Sequence, residues 1–258
     1  MASSLRGLLP ATGILSLDAR GHGETTTDND SDLSLATLSS DLVETIELTA
    51  QHCGWGAALP SMVLVGHSLG GAVVVEVAQS GRLGSALLGY CVLDVVEGSA
   101  MDALQGMRAH LSTRPAGFGS LSQAIEWHTR SRTLRNPTSA RISVPALLVL
   151  DDGAAASRPW KWRTDLAATQ PFWEGWFVGL SRKFLECKSA GKLLILAGTD
   201  RLDKELMIGQ MQGKYQLLVL PEIGHFVHED APEKTACAVG LPPSVPLSLP
   251  LKGKAYLT

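Results

Sequence analysis

The chain has 258 residues, 45% of them apolar and 18% charged, with a formal charge of −3. That length buries a sizeable core and that composition is globular, which excludes a mainly disordered chain. The acidic balance and the lack of an Arg/Lys cluster argue against a nucleic-acid partner, and no uninterrupted apolar stretch is long enough to span a membrane.

In chain order, residues 1–13 carry no signal-peptide pattern. Residues 13–18, ending in Asp18, read as a short buried strand, and 19–25 as a glycine-flanked turn followed by a polar loop. Ser34 or Thr37 caps a helix running to about His52, with Leu38, Leu42, Val43, Ile46 and Leu48 largely on one face. Residues 54–60 break it, and the run 61–66 reads as a strand ending at Gly66. Gly66-His67-Ser68-Leu69-Gly70 follows, and a helix begins at once. This is G-x-S-x-G in the setting it requires, a sharp strand-to-helix turn in which Ser68 Oγ is lifted clear of the sheet and glycines on either side make room. A further strand over 86–94 ends in Asp94.

Strand and helix signals alternate to this point, which predicts an α/β fold with a mostly parallel sheet. Functional groups of such sheets collect beyond the carboxyl ends of the strands, where Asp18, Ser68 and Asp94 fall. Residues 99–190 interrupt the alternation and read as a helical cap, with helices over 101–110 and 121–130. A possible strand within 141–150 contains Pro145. Its large aromatics, among them Trp160, Trp162, Trp173 and Trp176, either pack the cap on the core or line a pocket. The pattern resumes with a strand ending at Asp200, a helix over 203–212, a strand over 215–220, Gly224-His225, and a final helix from Phe226. The chain thus divides into 1–98 and 191–240 as two parts of one core, 99–190 as the cap, and 241–258 as a proline-rich, disordered tail. Cys53, Cys91, Cys187 and Cys237 are far apart, with no C-x-x-C, and read as free thiols in a reducing compartment; the expected location is the cytoplasm, the nucleus or both.

A serine hydroxyl needs a base within hydrogen-bond reach, and the base needs an orienting carboxylate. His225 is the best-placed base, since it follows a strand near the end of the chain; His228 and His22 are weaker candidates. His67 adjoins the serine, but neighbours on a sharp turn point apart. Asp94 and Asp200 compete for the third role, and the residue pattern alone favours Asp200. The backbone N–H of Leu69 is one oxyanion donor. The second normally comes from an earlier glycine-rich loop, which this chain does not contain. No cofactor or metal site is suggested.

Several segments carry a more specific likeness. These are 17–25 (LDARGHGET), 65–72 (VGHSLGGA), 93–104 (LDVVEGSAMDAL), 172–177 (FWEGWF), 197–204 (AGTDRLDK) and 208–214 (IGQMQGK). Through them the chain, over about residues 14–239, resembles the protein phosphatase methylesterases, α/β-hydrolases that remove the methyl ester from the C-terminal leucine of the protein phosphatase 2A catalytic subunit. The resemblance implies an α/β-hydrolase fold with Ser68 as nucleophile, His225 as base and Asp94 as acid, displacing Asp200. It also implies the phosphatase as partner, an active site that becomes organised when the phosphatase binds, and Arg20, Glu97 and Trp173 as candidates for the surface that takes its tail. The family's first strands, its His-Gly-Gly-Gly oxyanion loop, an acidic cap insertion and a last apolar helix have no counterpart here. The resulting expectation is a shortened chain of reduced stability and weak or absent esterase activity. A non-catalytic regulator that binds the phosphatase, or a general small-molecule esterase, are the alternative readings.

Overall fold

The computed structural model describes residues 1–55, 58–151, 153, 157–188, 190–198 and 202–240. The chain opens with α1 (Ala2–Leu8) and runs without regular structure to α2 (Leu35–His52). The Ser34 hydroxyl accepts the Thr37 N–H and caps α2, satisfying a donor that the helix itself leaves free. β1 (Met62–His67) leads straight into α3 (Leu69–Ser80), and β2 (Leu87–Leu93) follows. The insertion after β2 comprises α4 (Glu97–Ser112), α5 (Leu121–Arg130), α6 (Pro137–Ser143), the strands β3 (Leu148–Leu150) and β4 (Trp160–Trp162), α7 (Trp173–Phe177) and α8 (Leu180–Glu186). The core resumes with β5 (Gly191–Leu196), α9 (Lys204–Met211), β6 (Gln216–Val219), α10 (Val227–Asp230) and α11 (Pro232–Gly240).

The main sheet has the order β1-β2-β5-β6 and is parallel throughout. Val65 pairs with Cys91, Cys91 with Leu193, and Leu193 with Gln216. β2 is buried along nearly its whole length, as expected of a central parallel strand covered on both faces, and its sequence is correspondingly an apolar run rather than an alternation. Because all four strands run the same way, their carboxyl ends lie along one rim. Ser68, Asp94 and the loop that carries His225 follow three of those ends.

Several expectations need correcting. Residues 13–18 are not a strand: no strand among the described residues pairs with the outer edge of β1, and Ile14, Leu15 and Leu17 stay exposed. A strand without a ladder partner gains nothing from its apolar side chains. The strand expected within 141–150 is present as β3 but is confined to Leu148–Leu150, the rest of the stretch being the end of α6 and a 3-10 turn. Pro145 sits in the first turn of that 3-10 segment, where its missing N–H costs nothing. The final helix is two helices, because Pro232 turns Ala231 away from helical geometry (φ −134°, ψ 64°).

Two apolar clusters divide the insertion. Phe118, Ala124, Leu134, Ala140, Val144 and Leu148 form a core within it, against which Trp127, Trp160, Trp162 and Phe226 pack. Trp173, Trp176 and Phe177 join the main core instead. The large aromatics are therefore packing residues. No helix among the described residues is long and apolar enough to cross a membrane. All four cysteines are free thiols, Cys91 and Cys187 buried and Cys53 exposed. The tail from residue 241 lies outside the described residues.

Candidate active site

The turn between β1 and α3 puts Ser68 at φ 52°, ψ −120°, a conformation that non-glycine residues rarely adopt and that the surroundings must enforce. The Ser68 N–H donates to Leu93 O at 3.0 Å, and the Gly71 N–H donates to Ser68 O at 2.8 Å. Glycine is needed at two points beside it. A Cβ at Gly66 would overlap the Gly70 carbonyl, and one at Gly71 would lie 2.8 Å from Val95 Cγ1. At Gly70, the second glycine of the motif, a Cβ would meet nothing within 4 Å beyond its own helix. The crowding thus falls one residue later than the motif implies. Leu69 opens α3, and a first-turn N–H has no partner inside its own helix.

Asp94 directly follows β2 and also has positive φ, 51°. It is 2% exposed. Its N–H donates to Ile195 O at 2.7 Å, its Oδ1 accepts the Ala197 N–H at 2.8 Å, and its Oδ2 accepts from His225 Nδ1 at 2.8 Å. The loop after β6 is held in turn by Asp230, whose Oδ2 accepts the Gly224 N–H at 2.8 Å and whose Oδ1 accepts the Arg135 N–H at 2.7 Å. With Nδ1 engaged by Asp94, the free nitrogen of the His225 ring is Nε2, which is the nitrogen a neighbouring hydroxyl would use. Among the described residues Ser68 Oγ makes no hydrogen bond, so that last contact is open.

The other candidates fall as follows. Asp200 lies outside the described residues. The Nδ1 of His228 is buried without a hydrogen-bond partner among the described residues, and burial, followed by the charge of the chain's N-terminus and of His225, pushes His228 down to about 4. It is unsuited to collect a proton near neutrality. His22 Nδ1 is turned to its own loop, 2.9 Å from Arg20 O. Arg20 is committed to Asp41 through two bonds of 2.8 and 2.7 Å. Glu97 accepts the backbone N–H groups of Gly179 (2.8 Å) and Ser181 (3.2 Å) at the start of α8. Trp173 is buried, and its Nε1–H donates to Thr169 Oγ1 at 2.7 Å. All three residues read as contacts for a bound tail thus have internal partners. Sequence reasoning missed two residues. His67 Nε2 lies 2.9 Å from His225 O, a contact that spans 158 residues of sequence and left no local signal. Asp230 could have been found as an acid near the start of a helix.

A strained serine elbow, and a buried carboxylate holding a histidine at the rim of a parallel sheet, define an α/β-hydrolase. The Alpha/beta hydrolase family model matches residues 1–239. Among solved structures, E-2-(acetamidomethylene)succinate hydrolase shares the fold with a TM-score of 0.69 at 18% identity, over 92% of this chain and 85% of that one. Closer in sequence is protein phosphatase methylesterase 1 of Gibberella zeae, 61% identical over 93% of this chain and 60% of that protein. The protein of the same name from Bos taurus is 43% identical over 88% of this chain and 68% of its own length. The chain belongs to the protein phosphatase methylesterase family of α/β-hydrolases. It spans 60% of the length of the Gibberella zeae relative and 57% of the Aspergillus fumigatus one.

Proposed function

We propose that the protein is a serine carboxylesterase acting on the methyl ester of the C-terminal leucine of the protein phosphatase 2A catalytic subunit. The observation that carries this reading is the 2.8 Å bond from His225 Nδ1 to buried Asp94, at the same sheet rim as a serine forced to φ 52°. The substrate comes from the family.

In this reading substrate binding closes the open Ser68–His225 contact, as catalytic hydrogen bonds commonly tighten once the site is filled. Ser68 Oγ attacks the ester carbonyl carbon, and His225 Nε2 takes the hydroxyl proton. Asp94 fixes the ring tautomer and stabilises the imidazolium. The Leu69 N–H donates to the oxyanion of the tetrahedral intermediate. Collapse breaks the bond to the methoxy oxygen, which leaves as methanol with the proton from His225. Water then attacks the acyl-serine, again giving its proton to His225, and the second collapse returns the Ser68 hydroxyl and frees the leucine carboxylate.

The test is release of methanol from methylated phosphatase, with Ser68→Ala as control. The reading holds if wild type releases methanol and Ser68→Ala does not. It fails if neither does, or if both do. Retention of the phosphatase by an inactive wild type would instead favour a non-catalytic binder, and turnover of small esters without turnover of the phosphatase a general esterase.

A further inference from the structure

We propose that His67 is a positioning residue for His225: its Nε2–H ties the serine elbow to the main chain of the histidine loop. The inference rests on the assignment of His225 as base. His67 is the last residue of β1, immediately before Ser68. Successive side chains on this turn diverge, so His67 leaves the sheet to one side of the serine. There it meets the loop after β6. Its Nε2 is 2.9 Å from the carbonyl oxygen of His225. A carbonyl only accepts, so Nε2 must carry the hydrogen. The His67 ring also packs on three others, with centroid distances of 4.5 Å to His225, 4.7 Å to His228 and 5.0 Å to Phe226.

These contacts fix His225 from separate elements. Its carbonyl is held from the end of β1, its Nδ1 by Asp94 from the end of β2, and the residue before it by Asp230 from α10. A residue clamped at its backbone and at one ring nitrogen has little freedom left in the direction of Nε2, and proton transfer to that nitrogen depends on the direction. The charge state of His67 suits the task. Burial, then the neighbouring His225 and His228, push it down to about 3, so at neutral pH it supplies a donor without setting a second positive charge against the imidazolium that forms on His225. Packing alone would need the ring; positioning needs the N–H.

Two substitutions separate those roles. His67→Phe keeps a flat ring and removes the donor, while His67→Gln keeps an amide N–H and removes the ring. The readout is the rate at which a fluorophosphonate probe labels Ser68. Positioning predicts that His67→Phe slows labelling about tenfold or more and that His67→Gln stays within about threefold of wild type, the scale of one lost hydrogen bond. The opposite order, with phenylalanine tolerated and glutamine slow, overturns the inference. A measurement on the unmodified protein stands apart from variant folding and from catalysis. With 15N-labelled histidine, the His67 ring shifts should show the neutral tautomer with hydrogen on Nε2 from about pH 5 to 8. Hydrogen on Nδ1, or titration within that range, overturns the inference. A wild type that shows this tautomer but is not labelled at Ser68 would count against the esterase reading and leave the His67 contact standing.

Discussion

Among the described residues the Asp94 carboxylate joins two elements: Oδ2 accepts from His225 Nδ1 at 2.8 Å, while Oδ1 accepts the Ala197 N–H at 2.8 Å. The second bond anchors the first, because it fixes the carboxylate to the end of β5. Asp94→Asn separates chemistry from architecture. An asparagine keeps the Oδ1 acceptor and tolerates the positive φ of 51°, but its amide nitrogen cannot accept from Nδ1. The expected result is a loss of about 10³–10⁴ in turnover of the methylated phosphatase or in probe labelling, with a thermal melt close to wild type. Activity within about tenfold of wild type would remove Asp94 from the orienting role.

The ends of β1, β2 and β6 were legible because parallel strands are written as apolar runs and the elbow as a local pattern, whereas β5 ends at Leu196 and not at Asp200 as expected. The helix expected over 121–130 is α5 with the same bounds, and the Ser120 hydroxyl that accepts the Gln123 N–H is what starts it there. The acid was not settled by local pattern. Asp94 and Asp200 both follow apolar strands, and only the family likeness chose Asp94, which the 2.8 Å contact to His225 supports. Residues 13–18 misled because an apolar run predicts a strand only when another strand is there to pair with it. His67 and Glu97 take their roles from partners far away in sequence, and no spacing rule encodes those.

Glu97 is a structural residue in this geometry, and its substitution should show as lost stability. Its two oxygens accept the Gly179 and Ser181 N–H groups, and so tie the first turn of α4 to the start of α8. Glu97→Ala removes both acceptors at a helix start, a loss of about 1–2 kcal/mol. Urea unfolding should show that loss, while KM for the methylated phosphatase stays near wild type. A raised KM with unchanged stability would return Glu97 to the substrate surface.

Acid should unfold the protein through its buried histidines. Burial is the first cause that lowers both His67, to about 3, and His228, to about 4. In the unfolded chain both titrate near the ordinary histidine value of about 6.5. Between that value and the folded ones the unfolded state binds more protons, so stability rises with pH across this window and is lost as pH falls through it. Burial raises Glu229 instead. That carboxyl binds more protons when folded, so its contribution falls as pH rises through its raised value, opposite in sign. The two histidines carry the larger displacements and set the net slope. Melting temperature should climb from about pH 4 to pH 6.5. His228→Phe should flatten the climb and keep probe labelling, since the Nδ1 it removes is buried and has no hydrogen-bond partner among the described residues. Loss of labelling in that variant would revive His228 as a participant.

Asp230 joins the insertion to the histidine loop through one carboxylate. Oδ1 takes the Arg135 N–H and Oδ2 the Gly224 N–H, at 2.7 and 2.8 Å. The same junction is reinforced by the Arg135 guanidinium on Glu222 O and by Ser139 Oγ on Glu229 O. Hydrogen bonds to a charged acceptor are worth about 1.5–3 kcal/mol, and both would go in Asp230→Ala. With the Gly224 N–H released, the segment before His225 loses the contact that sets its approach to Asp94. Amide exchange should therefore quicken at Gly224 and His225 and at the start of α6, while the central strands β2 and β5, which Asp230 does not touch, stay protected. Probe labelling of Ser68 should fall in the same variant. Faster exchange confined to α6, with His225 protected and labelling intact, would show that the insertion can let go without disturbing the histidine.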